Sequence, residues 1–313
     1  MTVQSFLNQI WVQLGDEVID NIRLAKNFDL DASFVEQKLG FIERRRLKDN
    51  ANVLDLLRQL ISSQKAQIDA LELQSVRALI WVSQTSPYNG IPHLASAAVE
   101  MLGLSPDVLN FDLGLGCSGY PVALDMAQKL LANVSSDRND SVIVITGDAY
   151  SNIIDENDRD TALIFGDGLS LTQISNVDHG LSLKIKTGVS SHTEFSEALS
   201  LASGVLGMRG RDVYNYVLKN VALVADHSVR QTRAEISELA CVYAHQGSRH
   251  IVRQVGRALG VDEIVCPFYS SLTGNMVSTS IPFGLVQCPP KDGLSMLIGF
   301  GVGLQTAAII VEK

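Results

Sequence analysis

Apolar residues fall along this chain in two alternating rhythms. Short apolar-rich runs read as buried strands: residues 76–82 (Val-Arg-Ala-Leu-Ile-Trp-Val), 108–113, and the β-branched Ser141-Val-Ile-Val-Ile-Thr. Three-to-four spacing between them marks helices. These are Val53, Leu54, Leu57, Leu60 and Ile61 within 51–71, the stretch 91–102, and Val122, Ala123, Met126, Ala127, Leu130 and Leu131 after Gly119. Residues 3–14 start the sheet as a strand, with helix the alternative. Residues 15–50 are charged and loop-rich, and Glu43-Arg44-Arg45-Arg46 within them reads as a solvated surface turn, with a docking site the alternative. Residues 83–92 form a polar loop rich in Pro and Gly.

The pattern continues past residue 160. Residues 161–165 and 169–174 flank Gly166-Asp167-Gly168, a hairpin signal in which Asp167 is a turn former rather than a catalytic acid. Residues 176–208 are irregular. Helical spacing returns over 212–230 (Val213, Tyr216, Val217, Val221, Val224). A strand over 239–244 ends at His245, a basic helix spans 247–259, and 264–267 reads as another short strand. Residues 275–287 read as a helix holding Pro282, and the chain closes with strand, glycine turn and strand. Alternating strands and helices predict an α/β fold with mostly parallel central strands. Residues 1–175 and 176–313 look alike in outline, although no residue-level repeat joins them.

Composition narrows the function. Hydrophobic residues make up 46% and charged residues 19%, which fits a well-packed soluble chain. The net charge of −9 argues against general nucleic-acid binding and leaves no polybasic tail for a membrane. The apolar stretch 296–311 is broken by Gly299, Gly301, Gly303, Gln305 and Thr306, so it reads as two strands and not a membrane span. No basic segment followed by an apolar core marks a signal peptide. Cys117, Cys241, Cys266 and Cys288 form no C-x-x-C pair, so we expect reduced cytoplasmic thiols and no metal site.

The chemistry centres on Gly114-Leu-Gly116-Cys117-Ser-Gly119. A thiol between a strand and a helix N-terminus faces unpaired N–H groups and the positive end of the dipole, both of which favour a nucleophilic thiolate. The same six residues fit G-x-G-x-x-G, and the next strand ends at Asp148, so a dinucleotide-binding fingerprint is the rival. Against it, more than 100 residues precede the motif, and the thiol stands where a pyrophosphate would lie. His245, at a strand end in Tyr243-Ala-His-Gln-Gly, and Asn275, at a turn in Leu272-Thr-Gly-Asn-Met, are the candidate partners. Taken singly, the first reads as a structural histidine and the second as an N-cap. The glycine turn 299–303 could present a peptide N–H to an oxyanion. Arg249, Arg253 and Arg257, four apart, place three guanidinium groups on one helix face, suited to phosphate or an acidic carrier.

Read together, these motifs resemble the β-ketoacyl-acyl-carrier-protein synthase III family of the thiolase superfamily. The resemblance rests on 111–120 around Cys117, on Tyr243-Ala-His245-Gln, on Gly274-Asn275 with Ser280-Ile-Pro282, and on 299–303. Weaker matches lie at 159–168 and 40–44. It implies two similar βαβαβαββ halves, 1–175 with the cysteine and 176–313 with the histidine and asparagine, packed as a five-layer αβαβα sandwich in a homodimer. It also implies Cys117 as the acylated nucleophile and His245 and Asn275 as hydrogen-bond donors. The backbone N–H groups of Cys117 and Val302 would form the oxyanion hole. Phe34 and Arg159 fall where the family stacks the adenine of coenzyme A; Phe34 replaces the usual tryptophan and Ser248 the usual asparagine. Ala244 stands for a proline, and Val302 interrupts a glycine run. These departures mark a specialised relative. The implied substrates are acyl-coenzyme A or acyl-carrier-protein thioesters, with no other cofactor, and the reaction is a decarboxylative condensation. Acyl transfer to an amine or hydroxyl is the alternative.

Overall fold

The computed structural model describes residues 4–134 and 139–313. Val3, which the apolar pattern puts at the head of the first strand, lies outside them. The first half runs β1 (Phe6–Leu14), β2 (Glu17–Asp20), α1 (Asn21–Ala25), α2 (Ala32–Phe34), β3 (Glu43–Arg46), α3 (Val53–Ser63), α4 (Lys65–Asp69), β4 (Val76–Val82), α5 (Leu94–Met101), β5 (Leu109–Leu113), α6 (Gly119–Val134), β6 (Ser141–Asp148) and β7 (Gly168–Ser175). The second runs β8 (Leu183–Ile185), β9 (Ser190–Thr193), β10 (Leu199–Ala202), β11 (Val205–Met208), α7 (Gly210–Arg230), β12 (Cys241–Ala244), α8 (Arg249–Leu259), α9 (Ser280–Gln287), β13 (Leu294–Gly301) and β14 (Gln305–Glu312).

The main sheet has the order β12-β13-β14-β8-β1-β7-β6-β4-β5, with β9 also on β14. Strand β8 joins its two wings, pairing Leu183 with Leu7 of β1 and Ile185 with Val311 of β14. Among the strands of the described residues only β4–β5, β4–β6 and β12–β13 are parallel pairs, so the sheet is mixed and not mostly parallel. The antiparallel members close each half: β7 lies between β6 and β1, and β14 lies beside β13.

Helix faces explain the layers. Helix α3 buries Val53, Leu54, Leu56, Leu57 and Leu60, and with α5 it covers the outer face of the first wing through Leu79, Trp81, Ile143 and Leu171. Helix α7 turns Val213, Val217, Val221 and Val224 onto the outer face of the second wing, against Met296, Ile298 and Ala308. Helices α6 and α9 lie between the wings. Tyr120, Ala123, Leu124, Ile281 and Leu285 pack with Ile80 and Val144 on one side and Tyr243, Leu297 and Ile309 on the other. The succession is helix, sheet, helix, sheet, helix, with both central helices buried. No helix among the described residues is long and apolar enough to cross a membrane.

Several expectations fail locally. Residues 108–113 do form a strand, but β5 sits at the end of the sheet and Leu109 is exposed. No hairpin forms at Gly166-Asp167-Gly168; residues 161–164 are turn, and β7 pairs with β1 and β6 instead. These glycines answer to packing. A Cβ on Gly166 would lie 2.0 Å from the Thr273 carbonyl oxygen, and one on Gly168 would lie 2.6 Å from the Met276 sulfur. Residues 264–267 are turn and loop, because Val242 bonds only one carbonyl there, that of Val265. The irregular 176–208 contains β8 to β11. The predicted helix over 275–287 starts at Ser280, so Pro282 sits in its first turn, where a missing N–H costs nothing.

The basic run is not a solvated turn. It is β3, paired with β2, and Arg44 is fully buried. Its Nε donates to Asn21 Oδ1 at 2.8 Å and its Nη1 to the Phe165 carbonyl at 2.9 Å, while Glu156 lies 3.6 Å from Nη2. Asp167 is buried as well, and it accepts from the backbone N–H groups of Leu47 and Ser151 and from the Ser151 hydroxyl. Together they lock β3 and β7 behind the wall of the site.

Candidate active site

The turn Gly116–Ser118 is a single tight helical turn between the end of β5 and Gly119, the first residue of α6. Only glycine fits at its first residue and at the first residue of α6. Gly116 has φ +26°, and a Cβ there would lie 2.3 Å from Gln84 Oε1; one on Gly119 would lie 2.3 Å from Val82 Cγ1. Strand β13 presses on the same turn. A Cβ on Gly299 would lie 2.3 Å from the Cys117 carbonyl oxygen, and one on Gly301 would lie 2.9 Å from Cys117 Sγ. That contact fills the space a pyrophosphate would need, so the glycine motif does not form a dinucleotide site.

Cys117 is buried, and burial pushes its thiol well up; the negative charge of Asp148 pushes it further. The backbone N–H groups of Cys117 and Val302 both hydrogen-bond toward the sulfur and offset only part of this. The resting group is a thiol, which corrects the thiolate expected from the helix N-terminus: desolvation outweighs the dipole.

His245 follows β12, its N–H bonded to the Ile298 carbonyl at 2.9 Å. Burial lowers its pKa to about 3, against a small opposing contribution from the Val277 backbone, so the ring is neutral. Phe300 meets the imidazole edge-on, with centroids 5.3 Å apart. Asn275 is pinned to the first half of the chain. Its N–H donates to the Ile164 carbonyl at 2.9 Å, and its carbonyl accepts from Gly166 at 2.9 Å. Its Oδ1 accepts the Val277 N–H at 2.9 Å, which leaves Nδ2 as the end of the carboxamide not used in that bond. Val277 holds a left-handed φ of 49°, rare for a β-branched residue, to deliver that bond.

Cys117, His245 and Asn275 line one cavity of about 160 Å³. Tyr150, Phe165 and Phe300 form its buried floor, and Leu39, Met208, Gly247 and Ile251 its rim. Of the six residues expected to bind coenzyme A or a carrier, Ser248 alone lines this cavity. Its hydroxyl is engaged as the N-cap of α8, accepting from Ile251 at 3.1 Å. Phe34 is partly buried on α2 and Arg159 exposed in a turn. The arginine row does not present three free guanidinium groups. Arg249 lies over the Phe268 ring, 4.8 Å from its centroid, Arg253 pairs with Glu263 at 2.8 Å, and Arg257 is exposed. The residues that sequence reasoning missed are Gln84, Tyr150 and Asp148. The Tyr150 hydroxyl donates to Gln84 Oε1 at 2.7 Å, and Asp148 receives four hydrogen bonds behind the cysteine turn. Asp148 did stand out, as the end of a β-branched strand, but only as part of the rival nucleotide motif.

Solved structures share this architecture over nearly the whole chain. A 3-oxoacyl-(acyl-carrier-protein) synthase III superposes with a TM-score of 0.88 at 25% identity, covering 99% of this chain and 100% of the other. A 3-oxoacyl-(acyl-carrier protein) synthase from Burkholderia xenovorans LB400 gives 0.87 at 22%, covering 99% and 94%. The fold is that of the thiolase-like acyltransferases, built from two similar sheet-and-helix halves. The sequence pattern of 3-oxoacyl-[acyl-carrier-protein] synthase III matches residues 111–187, and that of its C-terminal domain matches 229–313, together just over half of the chain. A β-ketoacyl-[acyl-carrier-protein] synthase III of Streptococcus pneumoniae is 28% identical, over 97% of this chain and 98% of its own length. The chain belongs to the 3-oxoacyl-[acyl-carrier-protein] synthase III family.

Proposed function

We propose that this protein condenses an acyl thioester with a malonyl thioester, with loss of carbon dioxide, to give a β-ketoacyl thioester for fatty-acid or related acyl-chain synthesis. The observation that carries the reading is the single cavity onto which Cys117 converges with His245 and Asn275, both more than 100 residues further along the chain. Cys117 Sγ attacks the first thioester carbonyl while the N–H groups of Cys117 and Val302 hold the oxyanion. The proton of Sγ leaves with the departing carrier thiol, and acyl-Cys117 remains. The malonyl thioester then enters, and His245 and Asn275 donate to its thioester carbonyl. Breaking the bond to carbon dioxide leaves an enolate on that carbonyl, whose α-carbon attacks acyl-Cys117. The new carbon–carbon bond forms as the C–S bond to Cys117 breaks. A neutral imidazole suffices as donor, and the low pKa of His245 fits that role.

Coenzyme A or an acyl carrier protein would deliver the acyl group past the rim of the cavity. Lys38 and Arg257 both bear on His250, the residue before Ile251 of the rim, a basic surface suited to an acidic carrier. The reading includes two thiolase-like halves, 1–175 and 176–313, and a homodimer. In support of the dimer, the outer edge of β5 is unpaired among the described residues and Leu109 is half exposed on it. The four free cysteines fit a reducing cytoplasm. Intact-protein mass after incubation with a panel of acyl thioesters tests the first step, and carbon dioxide release from a malonyl thioester tests the second. Acylation without carbon dioxide release would point instead to transfer onto an amine or hydroxyl.

A further inference from the structure

Asp148 ends β6, is fully buried and takes no part in the chemistry above. Its Oδ1 accepts from the Ser83 hydroxyl at 3.2 Å, the Gln84 N–H at 2.7 Å and the Thr85 hydroxyl at 3.4 Å. Its Oδ2 accepts from the Ser278 hydroxyl at 2.7 Å. Every one of these partners donates, which favours the ionised carboxylate against the burial that pushes its pKa up. The two oxygens serve different sides of the cavity. The loop held by Oδ1 carries Gln84, whose side chain packs on Gly116, donates toward the Gly114 carbonyl at 3.4 Å and accepts from Tyr150. Ser278, held by Oδ2, is three residues past Asn275 and next to Val277, which fixes the Asn275 carboxamide.

We propose that Asp148 is a positioning residue of the condensing site: one carboxylate oxygen fixes the loop behind Cys117, and the other fixes the turn that carries Asn275. Its charge has a second effect. The titratable groups facing Cys117 are Asp148, Tyr150 and the neutral His245, and Asp148 supplies the negative charge that disfavours a thiolate. The site is thereby set to keep Cys117 protonated at rest, protected from adventitious alkylation and oxidation. This rests on the reading of Cys117 as the nucleophile.

Two variants of the full-length protein separate geometry from charge. Asp148→Asn can keep the three Oδ1 contacts, and Ser278 can turn its hydroxyl to the Val82 carbonyl, 3.4 Å away, while accepting from the new amide. Only the charge is lost. Iodoacetamide alkylation of Cys117, followed by mass across a pH series, should then shift to lower pH by about one unit, or about tenfold faster at a fixed pH on the rising limb. Ser278→Ala keeps the charge and removes the hydroxyl contact to Oδ2, leaving the Ser278 backbone N–H as that turn's remaining bond to Asp148. Its alkylation profile should stay in place while decarboxylation of a malonyl thioester falls about tenfold, a loss of about 1.4 kcal/mol of transition-state stabilisation. A D148N profile that overlays the parent, or S278A decarboxylation at the parent rate, overturns the proposal. If D148N does not fold, S278A decides alone. Alkylation needs no thioester, so failure to form acyl-Cys117 with any substrate would sink the condensation reading and leave the alkylation comparison intact.

Discussion

The Val277 N–H donates to Asn275 Oδ1 at 2.9 Å, and this bond decides which end of the carboxamide is left for a substrate. An acceptor already spent on the backbone leaves only donor hydrogens. Asn275→Asp keeps the acceptor for Val277 and replaces the donors by an anion. We expect Asn275→Asp, like Asn275→Ala, to form acyl-Cys117 near the parent rate and to lose condensation by about 100-fold or more. Single-turnover acylation followed by mass, beside carbon dioxide release, separates the steps. Loss of acylation in both variants would show that Asn275 serves the first step as well.

His245 gives a pH signature in stability. The folded protein holds the ring neutral down to about pH 3, whereas the unfolded chain takes up a proton near 6.5. Below pH 6.5 the unfolded state therefore binds more protons, so stability falls as pH drops toward 3 and is unaffected above 6.5. Between pH 6.5 and 5 the loss should be about 2 kcal/mol. His245→Gln removes that slope. Urea unfolding of both proteins at pH 7, 6 and 5 measures the difference, and parallel curves would mean the imidazole takes up its proton in the folded protein as it does in the unfolded chain.

The glycines of the cysteine turn are not equivalent. A Cβ on Gly114 meets nothing within 4 Å, whereas one on Gly116 meets Gln84 Oε1 at a residue with φ +26°. Gly114→Ala should change stability by less than about 0.5 kcal/mol and leave acylation intact. Gly116→Ala should destabilise by about 1–3 kcal/mol and slow acylation, since Gln84 and then Tyr150 must move. Thermal unfolding with acylation rates compares the pair; equal behaviour would discount the role given to Gln84.

The strands β4 and β6 and the helices α3, α6 and α7 were legible because each pattern is local: a run of β-branched residues, or a stripe at helical spacing. The Cys117 turn was legible because tight backbone needs glycine in the sequence itself. Arg44 was not legible. Three adjacent arginines look like surface until Asn21, Phe165 and Glu156, brought by other segments, surround the first one. Gly166-Asp167-Gly168 failed for a related reason. Its glycines make room for Thr273 and Met276, more than 100 residues on, and do not turn the chain. The expected thiolate at Cys117 erred by weighing a local dipole without the burial that tertiary packing imposes.

Helix α6 spends both its faces, one on strands from each half of the chain. A polypeptide severed between β7 and β8 would yield two fragments, the first with the far side of α6 bare and the second with Leu297 and Ile309 uncovered. Neither piece could mature on the ribosome ahead of the other. The molecule should melt in a single transition, and expressing the pieces together should recover what neither achieves apart.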